Sequence, residues 1–240
     1  PEQIDRLDSR LKEGGGLDIL GGIPRFADAA ELYHEVKPDA VSICTPHTLH
    51  FDHCCTALEA GCHVLVEKPM VTSSEHAIDL AARVTAAGKI LQIGYNTPAL
   101  AECRRLRDLC AGSEYGHLRV VNCSVSQLWN APTKGTWRHN PALSGGGMIY
   151  DTGAHVLNTI ISTVDEPVAE VHAFLDNRDA EVDINGTVNV RFANGTLACI
   201  AVCGESPNGA TGVWNFDRAS VFFDPWHGTG LRVVAFEDGK

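Results

Sequence analysis

Two groups of residues have types and spacings suited to chemistry. The first is Lys68, which stands between the apolar run His63-Val64-Leu65-Val66-Glu67 and Pro69. A proline disfavours helical backbone in the residue before it, so Lys68 ends an extended segment. An ammonium held at the mouth of a site has three hydrogens to offer a substrate oxygen, and burial lowers its pKa. The competing reading is a surface lysine neutralised by Glu67. The second group is Ser144-Gly145-Gly146-Gly147 followed by Asp151 and His155. Residues four apart share a helix face. A carboxylate beside an imidazole orients it and raises its basicity, which is general-base logic. Glycines before the helix let the backbone approach a ligand. An ordinary polar pair on a solvated face has the same spacing. A third cluster, His47, His50, His53, Cys54 and His63, has a spacing that invites a metal. Pro46 and the strand-to-helix turn pull His47 off the helix face, however, and no second Cys/His cluster closes a site, so no metal is assigned.

The elements that position these groups change character along the chain. Ile4, Leu7 and Leu11 form a helical stripe that stops at Gly14-Gly15-Gly16. Asp28 and Glu31 open a short helix, as Thr72 and Glu75 open a longer one that stops at Gly88. A third helix follows His50 and ends at Gly61, and a fourth carries Leu106 and Leu109. Between them lie short apolar runs at 40–44, 63–66 and 90–93. Strands joined by single helices mean crossovers and a parallel sheet. Ligands of such sheets sit outside the carboxyl ends of the strands. Those ends carry Thr45-Pro46-His47, Glu67-Lys68 and Gly94-Tyr95-Asn96.

Beyond about residue 115 the pattern turns to strands: one long strand over 117–129, others over 168–176 and 219–223, and a hairpin of 188–192 with 197–202. Asn194-Gly195 at its tip suits a type I′ turn. A helix is expected over 148–164. The pattern therefore divides the chain into a parallel α/β part over 1–115 and a mostly antiparallel α+β part over 116–240.

Composition narrows the function. The chain has 240 residues, is 44% hydrophobic and carries a formal net charge of −11. It can bury a core, and it lacks the basic footprint of nucleic-acid or anionic-membrane binding. No run of 18 apolar residues exists to span a bilayer, and no export leader is visible. Nine cysteines, an odd number with no C-x-x-C, sit mostly among apolar residues. They read as free thiols in a reducing cytoplasm. Asn122, Asn185 and Asn194 match the glycosylation pattern but read as chance and turn chemistry.

The run Cys44-Thr45-Pro46-His47-Thr48-Leu49-His50, with Leu58-Glu59-Ala60-Gly61-Cys62-His63-Val64-Leu65-Val66-Glu67-Lys68-Pro69-Met70, resembles the Gfo/Idh/MocA family. Thr136-Trp137-Arg138, Ser144 to Gly147 and Asp151-Thr152-Gly153-Ala154-His155 resemble that family's second signature. The resemblance implies NAD or NADP as cofactor and a sugar, polyol or inositol-like alcohol as substrate. It implies that Lys68 touches both nicotinamide ribose and substrate hydroxyl. Asp151 and His155 become the substrate-binding acid/base pair, His155 taking the hydroxyl proton while Asp151 orients it. Thr45, Pro46, His50, Glu67 and Asn96 would line the dinucleotide, Trp137 and Arg138 would reach its nicotinamide end, and Tyr95 would sit on the substrate side. The fold class the resemblance implies is an α/β Rossmann-type parallel sheet over 1–115, incomplete at its N-terminus, followed over 116–240 by an α+β domain with an open antiparallel sheet that would mediate a homodimer or homotetramer. The family's G-x-G-x-x-G turn is expected before residue 1, and further sheet after residue 240. Two other functions fit the same residues: an NAD-using glycosidase of the family, and a non-catalytic regulator that binds dinucleotide or sugar.

Overall fold

The computed structural model describes residues 22–236. The stripe at Ile4, Leu7 and Leu11 and the glycines at 14–16 lie outside them. Three strands, β1 (Ala40–Ile43), β2 (His63–Val66) and β3 (Leu91–Ile93), form a parallel sheet in the order β1-β2-β3. Helices Ala29–Val36, His50–Glu59 and Ser74–Ala87 connect or flank them. Local chemistry sets the helix ends. The Asp28 carboxylate accepts from the Ala30 amide at 2.6 Å, and Gly88 closes its helix at φ 62°. The cap of the Ser74–Ala87 helix is Ser73, whose hydroxyl accepts from the His76 amide, not Thr72 as the sequence suggests. Ile43, Cys54, Leu58, Val64, Val66 and Leu80 form the core between these layers.

A seven-stranded sheet follows. Its strands are β4 (Leu118–Leu128), β5 (Val168–Asp176), β6 (Asn185–Phe192), β7 (Leu197–Cys203), β8 (Glu205–Phe216), β9 (Ala219–Asp224) and β10 (Thr229–Ala235), in the order β10-β9-β8-β4-β7-β6-β5. Neighbours run antiparallel except β4 and β7, which pair in parallel from Val120↔Leu197 to Ser126↔Cys203. Strands β8 and β10 are not evident in the sequence pattern. Helices Ala101–Ala111 and Ala154–Val164 pack on one face of the sheet. There Leu106, Leu109, Val156 and Ile160 meet Val121, Val125 and Trp214. A helix on the Rossmann side of residue 115 thus has its buried side in the second core.

Two local expectations change. The 192–196 turn is not type I′, because only Gly195 (φ 87°) has positive φ and Asn194 does not. The Gly195 amide donates to the Phe192 carbonyl and the Thr196 amide to Asn194 Oδ1, which makes a type I turn closed by one left-handed glycine. The 148–164 helix is not uniform: Ile149–Gly153 is a π-helical turn, and α-helix begins only at Ala154. Such turns re-aim the side chains they carry.

Candidate active site

The site lies where the carboxyl ends of β1–β3 meet the π-helical turn. Lys68 follows β2, and its peptide to Pro69 is cis. Its side chain crosses to the second sheet domain, where Nζ donates to Asp151 Oδ1 at 2.5 Å and to the Asp151 carbonyl at 3.0 Å. The two side chains are only 13% and 11% exposed. Lys68 is therefore not a surface lysine neutralised by Glu67, whose Oε2 accepts instead from the Lys68 main-chain amide. An ammonium has three hydrogens. Two are used here, and the third has no partner among the described residues.

Asp151 is the hub. Its Oδ2 accepts from Trp129 Nε1 at 2.8 Å and from Arg138 Nε at 3.0 Å. Burial alone would push its pKa up. The Lys68 charge, the hydrogen bonds from Lys68 and Trp129, and the Arg138 charge overcome this and hold the carboxyl well below the usual range. It is a fixed anion. It makes no hydrogen bond to His155, so the expected orienting contact is absent. The π-helical turn separates the two residues from regular i, i+4 register, and both carboxylate oxygens are taken by groups far away in sequence.

His155 stands edge-on to Tyr95, with ring centroids 5.9 Å apart at 89°. Its Nδ1 is sealed from solvent without a partner, and no protein group bonds Nε2 among the described residues. The carboxylate does pull the imidazole pKa upward as expected, but the expected net rise above the ordinary histidine value is overturned. Burial, then the Lys68 charge, lower its pKa to about 4 against the opposing pull of Asp151. It is neutral at physiological pH and able to accept a proton. Burial likewise pushes Tyr95 up to about 12, keeping its phenol protonated.

The remaining candidates divide. Thr45, Pro46, Glu67 and Asn96 lie at the strand ends, Glu67 and Asn96 exposed and Thr45 and Pro46 half-buried. The Arg138 guanidinium lies 4.4 Å over the Trp137 ring. Trp137 in turn packs edge-on against His47 at 4.7 Å. His50 does not line the site. It is fully buried, with Nδ1 against the Pro69 carbonyl at 2.8 Å and Nε2 against the Thr45 carbonyl at 2.9 Å. It braces the loops that carry Thr45 and Lys68. His47 bonds the Ser144 carbonyl, Thr48 the Ala142 carbonyl, and Tyr150 the Val71 carbonyl, so the two sheets are joined around the site. The histidines of the His47–His63 run each have a structural partner, His53 on Thr45 and His63 on the Ile90 amide. Among the described residues no group of three or more His, Cys, Asp or Glu is placed to hold a metal ion.

Gly147, the last of the glycine run, lies against Asp183. Asp183 fills the space: its Oδ1 and Oδ2 accept from the Gly147 and Ile149 amides at 2.7 Å each, and its carbonyl accepts from Met148. A Cβ on Gly147 would fall 1.9 Å from that carbonyl oxygen. Sequence reasoning missed Asp183 and Trp129. Asp183 stands alone in sequence with no spacing to mark it. Trp129, at the end of the long strand run, was visible only as an apolar residue.

Comparison with known proteins places this geometry. Residues 18–95 match the model "Oxidoreductase family, NAD-binding Rossmann fold", and residues 103–224 match the GFO/IDH/MocA C-terminal domain. The D-glucoside 3-dehydrogenase of Escherichia coli K12 is 30% identical over 177 residues, 72% of this chain and 50% of that protein. A levoglucosan dehydrogenase solved with NADH and levoglucosan superposes with TM-score 0.80 at 22% identity, covering 97% of this chain and 65% of that one. The aldose-aldose oxidoreductase of Caulobacter crescentus, solved with glycerol, gives TM-score 0.80 at 24% identity over 97% of this chain and 73% of its own. The chain spans about half the length of the curated relatives it matches.

Proposed function

The chain belongs to the GFO/IDH/MocA family of oxidoreductases, and from that membership we propose that it transfers hydride between NAD or NADP and a carbon bearing a hydroxyl in a sugar, polyol or inositol-like alcohol. The observation that carries this reading is Lys68. It is anchored by two hydrogen bonds to Asp151 with its third hydrogen free, beside a neutral histidine. Such a pair suits a hydroxyl that must lose its proton while its oxygen gains negative charge.

The donor set at the strand ends fits a nicotinamide nucleotide. Thr45, Pro46, Glu67 and Asn96 would hold it from the parallel sheet, and Trp137 with Arg138 from the other side. When bound, the nicotinamide accepts or returns the hydride. The chain's own residues do the rest. His155 Nε2 takes the hydroxyl proton. The free hydrogen of Lys68 is donated to the same oxygen and stabilises the alkoxide. Asp151 fixes Lys68, and Trp129 and Arg138 fix Asp151. Tyr95 packs against His155 and borders the substrate.

The test is reduction of NAD+ and NADP+ by the full-length protein, with methyl D-glucoside, levoglucosan, D-glucose and myo-inositol as probes. Cofactor-dependent turnover that falls in both Lys68→Met and His155→Ala is the expected result. Turnover that both variants keep would refute the assignment.

Two coarser features support further readings. Strand β5 is exposed along its whole length, with Phe174 77% exposed beside Val171 and Leu175. A strand so apolar at a sheet edge suits self-association, as a dimer or tetramer. Light scattering that shows a monomer at micromolar concentration would count against it. All nine cysteines are free, which suits a reducing, cytoplasmic setting. No helix among the described residues is long and apolar enough to cross a membrane.

A further inference from the structure

Arg138 is one of three donors that fix Asp151, but it stands on a thinly held stretch of chain. Trp137–His139 is a single short helical turn, and residues 134–136 and 140–142 on either side of it are exposed. The Arg138 side chain is itself 37% exposed. A guanidinium so open to water pays side-chain entropy to stay on a carboxylate, unless a neighbour seats it. That neighbour is Trp137, whose ring lies 4.4 Å beneath the guanidinium. Trp137 in turn meets His47 edge-on, with centroids 4.7 Å apart and planes at 83°, the geometry that aromatic pairs favour. His47 is well anchored. It is 4% exposed, belongs to the His47–Leu49 turn after β1, and bonds the Ser144 carbonyl at 2.9 Å. A carbonyl only accepts, so Nδ1 carries the hydrogen. Burial lowers the pKa of the ring to about 4, so it brings no charge to a site where Lys68 and Asp151 already pair.

We propose that His47 is a positioning residue for Arg138: its ring backs Trp137, Trp137 seats the guanidinium, and the guanidinium holds Asp151 Oδ2 in the orientation that presents Oδ1 to Lys68. The inference rests on the reading of Lys68 and Asp151 as part of the reacting site. It gives the His47 ring a role separate from that of its hydrogen bond, which ties the turn after β1 to Ser144. It also links two parts of the site. Thr45 and Pro46, assigned above to the dinucleotide, directly precede His47. A shift of that loop when the dinucleotide binds is therefore passed through His47, Trp137 and Arg138 to the carboxylate that orients Lys68.

Two substitutions separate the ring from the hydrogen bond. His47→Asn places an amide N–H where Nδ1–H stood and removes the ring. His47→Phe keeps the ring edge and removes the donor. The first readout is solvent exchange of the Arg138 Nε–H, followed by NMR in the ¹⁵N-labelled full-length protein and identified by its loss in Arg138→Met. The second is turnover of NAD+ with methyl D-glucoside. His47→Asn should speed the exchange and lower kcat by about tenfold each, the scale of one hydrogen bond to a charged group. His47→Phe should keep both close to wild type. In an Arg138→Met background, His47→Asn should cost no further turnover, because the group it acts through is gone. Wild-type exchange and kcat in His47→Asn would overturn the proposal. So would losses in His47→Phe as large as those in His47→Asn, which would leave His47 only its bond to Ser144, or losses that multiply in the double variant. Either single variant decides if the other does not fold. Failure of the underlying reading looks different: Lys68→Met would keep its turnover, while the Arg138 exchange would still report on His47.

Discussion

Asp151→Asn is the substitution that most directly probes the site, because one carboxylate serves three donors. Oδ1 takes Lys68, and Oδ2 takes Trp129 Nε1 and Arg138 Nε. The amide of asparagine keeps one acceptor oxygen and replaces the other with a donor. Either the Lys68 ammonium or the indole and guanidinium must then face an N–H. Lys68 is 13% exposed, so water cannot take over fully. Removing one partner of a buried pair costs about 3–5 kcal/mol, and the retained oxygen puts this case at the low end, about 3 kcal/mol. For a domain of this size that is a fall of roughly 6–12 °C in Tm.

The pH dependence has a definite sign. The folded-state pKa of Asp151 is depressed, so its contribution is complete above the unfolded carboxyl value of about 3.9 and is lost as pH falls below it. The gap in Tm between wild type and variant should therefore be flat from about pH 5 upward and narrow below about pH 4. The assay is thermal unfolding of both proteins at one concentration across that range. Turnover should fall at least about 100-fold, since the Lys68 donor is no longer preorganised. A variant within 1 °C or so of wild type at neutral pH, on the scale of an ordinary surface change, would mean that the Lys68–Asp151 pair contributes nothing to the fold. A gap that widens on acidification would mean that the carboxyl is protonated in the wild type.

Lys68→Met should lower kcat by about 100-fold or more. It should also move the acid limb of kcat/KM for oxidation upward from near pH 4, because the charge that depresses His155 is removed. A limb that stays in place would uncouple the two residues. Gly147→Ala should destabilise the protein by about 3 kcal/mol, the upper range of overpacking, because the new methyl meets the Asp183 carbonyl. Gly195→Ala, at positive φ but with open space around it, should cost about 1–2 kcal/mol. Urea denaturation of both checks the order, and equal costs would refute the packing account of the glycine run. His50→Leu leaves the Pro69 and Thr45 carbonyls without their partner and should cost about 2–3 kcal/mol. Unchanged urea stability would show that His50 braces nothing.

Much of the fold was legible because its signals are local. Short apolar runs between capping residues and glycines marked β1, β2 and β3 and the helices between them. The extended approach to Lys68 could be read from Pro69 alone, and the two signatures carried the family. The tertiary structure decided what depends on distant partners. Asp151 and Lys68 are 83 positions apart, and their bond exists only because the π-helical turn docks against the end of β2. The i, i+4 spacing of Asp151 and His155 implied an interaction that this turn and three better donors removed. The direction of the His155 shift could not be read either: spacing shows a neighbouring carboxylate, but burial outweighs it. The glycine run announced a close approach without saying to what, and Asp183 arrives there through the second sheet's own packing. The parallel pairing of β4 with β7 and the strands β8 and β10 were hidden for the same reason. Strand order is a property of how whole elements bury their faces together, and no window of sequence contains both sides of that contact.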